Sequence, residues 1–564
     1  MATFPCAASI GENVPVSNPP VDPALRDLST DPYAQHIAAR LLDFFSDTST
    51  WQRRLWDTGT VLSLRELHEA SEWRSKNVLS TGSISWLSKD IERLVGRDRG
   101  LGDKDLRMHL TKTLRTGITS GSRHHRMLQQ ITDLVNDGYI TRWVGAIASS
   151  SPPSPERCSR AVASHLLDCG YSMRFLHRWV EGHIYAKSSL GDLLQSAEDL
   201  ASGSDRKFEV IVPFASLPQA PELAYGLDEW RRPEEIRRWL ADNAEGAPRV
   251  RQAGGFRYRV EAKDAYAASD LVAGTIDRLI ARSSYTRRAG RGKHIPEPLG
   301  VVWVYDELES KSHEIRLQAT QGRGAVVLSL SSERRVYDVA RPTALDDALE
   351  LAAPLNNGAP GPAISGGWAA VEALLVAPGD GEDSKEGRGA VAADRMAALV
   401  ACSWPRAELT TLAYRHNPNP ADRLAAELDQ APTNRERARL VADALVSGRK
   451  LVLEKHADIA AVQRMESLVN QPRSTLSDVS CHITTAMRRL YRQRNLLMHG
   501  GSTSSVALGA TLRTAAPLVG AGLDRITHAA LIDNTDPLPL ASRALLNLSL
   551  VGGKDGRHLT DLLE

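Results

Sequence analysis

The stretch Tyr491-Arg492-Gln493-Arg494-Asn495-Leu496-Leu497-Met498-His499-Gly500 is the most specific feature of this sequence. It closes a long amphipathic run and passes into a short polar segment at 501–505. An arginine, an asparagine and a histidine lie within six positions, among leucines and a methionine. Because polar groups in apolar surroundings need partners or a function, the stretch predicts a site as well as a helix.

Helical spacing gives this stretch a predicted inner face. Six residues fall on one stripe of a helix: Ile483, Met487, Leu490, Tyr491, Arg494 and Met498. Arg494 is therefore expected to face inward, whereas Arg488 and Arg489 are expected to be exposed. An inward guanidinium must be paired or must meet an anion. Gly500 is the expected residue at which the helix ends, which places His499 in the last turn.

Composition limits the class of protein. A chain of 564 residues with 42% hydrophobic and 24% charged residues is typical of several globular domains. The net charge of +1 gives no global basic excess, although a local basic groove is enough to bind RNA. Five widely spaced cysteines, without CxxC or zinc-type spacing, predict reduced thiols in the cytoplasm and no metal site. No secretory signal and no apolar run of membrane-spanning length is found, so no membrane contact is expected.

Periodicity divides the chain into four segments. The proline-rich residues 1–33 predict a disordered lead, and 34–204 predict a helical N-terminal domain. Residues 205–345 predict a small α+β domain, a sensor or a restraint, and 346–564 predict an all-helical domain. Strands of the third segment are expected at 208–214, 256–262, 301–305 and 325–330, with a helix capped by Asp264. The expected fold class is mainly α with an α+β middle domain.

The three polar side chains of the motif suit phosphodiester chemistry. Histidine transfers protons near neutral pH, and arginine holds the charge that develops on phosphate oxygens. An amide such as that of Asn495 can fix orientation. RNA carries its own nucleophile in the 2′-hydroxyl, so this chemistry needs no metal. The common nucleotide-hydrolase, dinucleotide and zinc-protease motifs do not occur in the sequence, and no cofactor is expected.

The segment Arg494 to Gly500 resembles the Arg-x(4–6)-His motif of HEPN ribonucleases in its RNxxxHG form. Upstream, Trp368-Ala369-Ala370-Val371-Glu372-Ala373-Leu374-Leu375 is similar to the first core helix of the C-terminal HEPN domains of ApeA-type anti-phage effectors. The resemblance covers about 362–530, a third of the chain. It implies an all-α HEPN bundle within 346–564. Residues 505–521 have no counterpart that explains their composition.

The resemblance implies a metal-independent endoribonuclease of the cytoplasm, acting in abortive infection. HEPN domains dimerise, so that two Arg/His pairs form one composite site. By that analogy His499 transfers the proton, Arg494 holds the scissile phosphate and Asn495 orients either of them. Glu372 holds Arg494 from the facing helix, and the product carries a 2′,3′-cyclic phosphate. The implied partners are an RNA substrate, a second copy of the chain and a phage-derived or nucleotide activator of the N-terminal regions.

Other interpretations stay open. A degenerate HEPN bundle would be a non-catalytic dimerisation or binding scaffold, with Arg494 in a structural ion pair. A toxin of a toxin–antitoxin pair is a further alternative, although the segment after the motif offers no tyrosine for modification. Glu372 could equally form an ion pair inside the bundle, with Arg395 or with Arg494.

Overall fold

The computed structural model describes residues 22–217, 226–244, 251–285, 295–317, 322–381 and 387–564. The chain forms two compact units. The first contains Met1–His165, Val180–Glu198 and Arg323–Glu564, and the second contains Leu166–Trp179 and Asp199–Gly322. Most of the expected disordered lead, residues 1–21, lies outside the described residues. Its remainder contains a 3-10 turn at Pro23–Leu25 and the beginning of the first α-helix at Pro32.

The N-terminal part is helical, as the periodicity predicts. The described α-helices up to residue 202 are α1 Pro32–Phe45, α2 Thr60–Ser75, α3 Thr81–Arg97, α4 Lys104–Thr116, α5 Arg123–Asn136, α6 Tyr139–Ile147, α7 Pro155–Asp168, α8 Met173–Tyr185 and α9 Leu190–Ser202. Local chemistry sets where several of them begin. Ser80 and Ser122 each accept a backbone N–H from the third residue of the helix that follows, which satisfies one of its free donors.

The second unit contains an antiparallel sheet with a helix on each face. Its described elements are β1 Arg206–Ser216, β2 Trp230–Arg231, α10 Pro233–Asn243, β3 Gly255–Ala262, α11 Ala265–Ser284, β4 Glu297–Pro298, β5 Val301–Asp306 and β6 Lys311–Arg316. The strand order is β2-β3-β1-β5-β6, and β4 also pairs with β1. Alternate residues of β1 face α11, whereas Ile211 packs with α10. Asp264 caps α11 as predicted, accepting the N–H groups of Tyr266 and Ala267 at 2.9 Å.

The strand expected at 325–330 is wrong. Ala325 and Val327 pack against the helical core of the first unit, and a single helical turn, α12, spans Ser329–Ser332. Ser329 donates its backbone N–H to Asp524, a residue of a later helix, at 2.7 Å. The segment also crosses Gly520, where an added Cβ would lie 2.7 Å from Ala325 Cα. This apolar run therefore lies on a helix and does not pair with a strand.

The described residues of the C-terminal part form helices joined by loops, with no strand among them. Its elements are α13 Ala344–Ala352, α14 Pro354–Asn357, α15 Pro360–Leu375, α16 Arg388–Arg415, α17 Arg423–Gln430, α18 Asn434–Val446, α19 His456–Asn470, α20 Pro472–Gly500, α21 Leu508–Ile532 and α22 Pro537–Leu550. Helix α16 packs against α15, α18, α20 and α22 around a core that includes the fully buried Trp368. No described helix combines the length and the apolarity that a membrane span requires.

Buried ion pairs join the N-terminal helices to the C-terminal helices within the first unit. The Arg53 side chain donates to Glu408 at 2.8 Å and to Asp458 at 2.7 Å. Glu156 of α7 also forms an ion pair with Arg464 of α19 at 3.7 Å. Charges this far from water require partners, so these contacts fix the helices relative to one another. The expected division at 204 and 345 differs from this grouping, because helices of both expected domains lie in one compact unit.

Candidate active site

Helix α20 carries the motif and is more deeply enclosed than the stripe alone predicts. Ile483, Met487 and Leu490 are fully buried on the expected face. The residues of the stripe become more exposed toward the end of the helix, where the Arg494 side chain is 28% exposed and Met498 is 59% exposed. Arg494 therefore faces a cleft that solvent can reach. A guanidinium in that position can meet an anion from outside.

The expected exposure of Arg488 and Arg489 is wrong. Arg489 is buried and donates Nε to Glu66 of α2 at 2.9 Å. Arg488 donates to Asp394 at 3.0 Å and lies over the ring of Trp86. A second face of α20 is therefore covered by α2 and α3, helices that come from the opposite end of the chain.

The last turn of α20 is shaped by two glycines with different roles. The helix includes Gly500, and Gly501 takes the left-handed conformation with φ of +63°. Gly501, not Gly500, is thus the residue that ends the helix in the left-handed region. Gly500 is needed for close packing, since an added Cβ would lie 3.0 Å from the Trp73 ring of α2. His499 lies in the last turn, as predicted, and is exposed.

The four residues singled out in the sequence come together. Arg494 Nη1 lies 3.2 Å from His499 Nε2 and donates to Asn495 Oδ1 at 3.1 Å. Because arginine can only donate, the contact with His499 requires an unprotonated Nε2, which is the nitrogen that can accept a proton. Glu372 of α15 lies 3.9 Å from Arg494 Nη2, an ion pair without a hydrogen bond. Arg395, the other expected partner of Glu372, pairs instead with Asp380 at 2.9 Å.

An open cleft of about 750 Å³ leads to this cluster. One wall is α20, which contributes Tyr491, Arg494, Asn495 and His499. The other wall comes from α2, α3 and the segments beside them, and its polar residues are Ser71, Arg74, Ser75, Asn77, Ser80, Thr81 and Thr119. Arg74 gives the cleft a second cation besides Arg494. No pattern in the sequence indicates this wall, because α2 lies more than 400 residues before the motif and carries no recognisable motif.

Glu66 attaches α2 to the motif helix. Its Oε2 accepts from Arg489, and its Oε1 accepts from Arg492 Nε at 3.2 Å and Nη2 at 2.9 Å. Burial would raise the pKa of Glu66, but the two guanidiniums lower it to about 2. One turn further along α2, Glu69 accepts from Ser505 Oγ at 2.8 Å and from the backbone N–H of Val506 at 3.2 Å. Helix α2 therefore holds both the motif helix and the loop that follows it.

Comparison with protein-family models, with curated proteins and with solved structures finds no match to this chain. The assignment of a function accordingly depends on the residues of the cleft and on their geometry.

Proposed function

We propose that the chain is a metal-independent HEPN-type endoribonuclease of the cytoplasm, acting in anti-phage defence and regulated by its N-terminal regions. The observation that supports this most is the meeting of Arg494, His499 and Asn495 at a solvent-accessible polar cleft, with Glu372 beside them. A guanidinium and an unprotonated imidazole nitrogen 3.2 Å apart supply a phosphate-binding group and a proton acceptor in one place.

In the proposed reaction the 2′-oxygen attacks the neighbouring phosphorus, and the bond from phosphorus to the 5′-oxygen breaks. His499 Nε2 accepts the proton of the 2′-hydroxyl, while Arg494 turns from the imidazole to the phosphate oxygens. Asn495 Oδ1 keeps the guanidinium oriented. The leaving 5′-oxygen takes up a proton, and the products are a 2′,3′-cyclic phosphate and a free 5′-hydroxyl.

One chain supplies one histidine to the cleft. The reaction needs both a proton acceptor for the attacking 2′-hydroxyl and a proton donor for the leaving 5′-oxygen. A second copy of the chain would bring a second His499 as the donor. The exposed end of α20, with His499 and Met498 on its surface, leaves this part of the site accessible to that copy. The proposed active form is therefore a homodimer through the HEPN bundle.

The wall formed by α2 and α3 supports regulation by the N-terminal regions. Residues of these helices and of the segments beside them line the cleft, and Glu66 and Glu69 attach α2 to the motif helix and its loop. A phage-derived or nucleotide ligand that displaces α2 would widen access to Arg494 and His499. We therefore assign the N-terminal helices the role of a restraint on the active site.

The test is cleavage of labelled RNA in EDTA by the wild type and by Arg494→Ala and His499→Ala. We expect each variant to lose at least about a hundredfold of the rate, since each removes a group that acts in the transition state. Arg473→Ala is the matched control, because Arg473 is exposed near the opposite end of the same helix. Mass spectrometry of the product should find 3′ ends one water lighter than a 3′-phosphate.

Undiminished cleavage by both variants would exclude the proposal. The competing function is a binding scaffold, in which Arg494 is only a structural partner of Glu372. It predicts that His499→Ala retains full protection of cells against phage, and that purified wild-type protein cleaves no RNA under any condition that releases the restraint. Light scattering measures the dimer separately, so an inactive dimer points to the scaffold.

A further inference from the structure

A second cluster of chemically active side chains lies on another part of α2. His68 and Glu72 are four residues apart on this helix, so they project from the same face one turn apart. Helix α5 packs against α2 and brings His125 to them from its first turn. One nitrogen from each imidazole and one oxygen of Glu72 lie within 4.8 Å of one another. Elsewhere in the described residues no comparable group of three occurs.

The geometry of the three groups is nearly symmetric. His68 Nδ1 and His125 Nε2 each lie 3.9 Å from Glu72 Oε1. The two imidazole rings are stacked, with centroids 3.7 Å apart and planes 21° apart. Imidazole nitrogens and a carboxylate oxygen held this close together are groups that bind metal ions.

The ligand set and its spacing fit zinc. Two imidazole nitrogens and one carboxylate oxygen, with a fourth position open to water, are a common zinc environment. Tetrahedral zinc with bonds of about 2.1 Å places its ligand atoms roughly 3.4 Å apart. For zinc to bind, the two distances of 3.9 Å to Glu72 need to shorten by about half an ångström, and the stacked rings need to turn so that their nitrogens converge on one point. Both changes are side-chain rotations.

Competing contacts of the three groups are weak. His125 Nε2 lies 3.4 Å from the backbone oxygen of His68, longer than an ordinary N–H···O hydrogen bond. The backbone N–H of His125 is bound by Ser122 Oγ at 3.1 Å, which fixes the start of α5 without using the ring. Glu72 is only partly buried, so water can reach the open coordination position.

We infer that His68, Glu72 and His125 form a zinc-binding site that fastens α2 to α5. The proposed nuclease activity is not needed for this inference, since the ligands are separate from Arg494 and His499. The expectation from the sequence, that the chain has no metal site, rested on cysteine and histidine spacing along the chain. His125 lies 57 residues after His68, and only the packing of α5 on α2 brings the two together.

The test uses the full-length chain after dialysis against EDTA. Calorimetric titration with zinc should show one equivalent per chain, and cobalt should give visible d–d absorption without the thiolate charge-transfer band that cysteine ligands would produce. His68→Ala and His125→Ala should lose this equivalent, and Glu72→Gln should bind more than about tenfold more weakly. Zinc should raise the melting temperature of the wild type but not that of His68→Ala.

His124→Ala is the matched control, since His124 is the neighbour of His125 on α5 and belongs to no described metal-ligating group. It should retain the full zinc equivalent. Circular dichroism of each variant confirms that it is folded, and Glu72→Gln keeps the shape of the side chain if the alanine variants unfold. A wild type that takes up no zinc, or an undiminished equivalent in the three ligand variants, would overturn the inference and leave a stacked histidine pair.

Discussion

Replacing Glu66 by glutamine tests whether α2 holds the motif helix in place. The carboxylate accepts three charge-assisted hydrogen bonds from Arg489 and Arg492, and all three side chains are almost completely buried. Glutamine fits the same space, but it removes the negative charge and turns an amino group toward a guanidinium. Two buried arginines then lose their counter-ion.

The size of the loss follows from the burial of the contact. Removing one partner of a buried ion pair typically costs about 3–5 kcal/mol, since the remaining charge is left uncompensated. The pKa of Glu66, lowered from 4.5 to about 2, corresponds to roughly 3 kcal/mol of stabilisation at neutral pH. For a cooperative unit of this size, that loss lowers the melting temperature by roughly 3–5 °C.

The assay is thermal unfolding followed by circular dichroism, together with hydrogen exchange of the α2 amides. Glu69→Gln is the matched control on the same helix, because glutamine can still accept from Ser505 and Val506. We expect this control to change the melting temperature by less than about 1 °C. Replacing Glu66, Arg489 and Arg492 together by methionine should recover most of the loss, since an apolar set leaves no unpaired charge.

The pH dependence provides a second check of the same contact. The folded-state pKa of Glu66 lies below its unfolded value, so its contribution is complete above pH about 5 and is lost as the pH falls toward 2. The gap in melting temperature between the wild type and Glu66→Gln should therefore narrow between pH 5 and pH 3. If Glu66→Gln melts with the wild type at pH 7, or if it matches Glu69→Gln, Glu66 does not hold the helices together.

Three further predictions concern the end of the motif helix. Gly501→Ala should cost about 1–2 kcal/mol through backbone strain alone, since its φ is +63° and nothing lies within 4 Å of the added Cβ. Gly500→Ala should cost about 1–3 kcal/mol through the contact with Trp73. Trp73→Leu should therefore relieve the loss of stability in Gly500→Ala but not the loss in Gly501→Ala. Urea unfolding measures the free energy of unfolding of each variant. Arg494→Lys keeps the charge but loses the planar pair of donors, so RNA cleavage should fall by more than about tenfold while the dimer measured by light scattering is unchanged.

The sequence was sufficient to predict most of the helices and the meeting of the motif side chains. Buried apolar residues at helical spacing fixed α15 and α20, and the motif predicted the meeting of Arg494, Asn495 and His499 because all three lie on one helix end. Glu372 was placed beside Arg494 only by resemblance, and the structure brings the two side chains to 3.9 Å. Residues close in sequence on a regular element have a geometry that follows from helical periodicity.

The sequence could not predict which residues of distant segments contact each other. Arg489 was expected on the surface because charged residues beside an apolar stripe are usually solvated, and only Glu66, more than 400 residues earlier, changes that outcome. The strand expected at 325–330 failed for a similar reason. Its apolar residues match a β pattern, but they pack against helix α21 at Gly520, where the missing side chain leaves room for the backbone of Ala325. The short strand β6 was missed because only Ile315 is buried among its six residues.

The ion pair of Arg494 with Glu372 is weak enough to release the arginine to an incoming anion. The two side chains are 28% and 34% exposed, and they lie 3.9 Å apart without a hydrogen bond. Pairs this accessible to water typically contribute about 0–1 kcal/mol, and salt screens them further. A phosphate can accept two parallel hydrogen bonds from one guanidinium, so it competes readily with Glu372 for Arg494. The buried arginines of the same helix, Arg489 and Arg492, are held so tightly by Glu66 that no phosphate could recruit them. Near the end of the helix, the buried Arg489 and Arg492 fix its position, whereas the more accessible Arg494 can meet an anion.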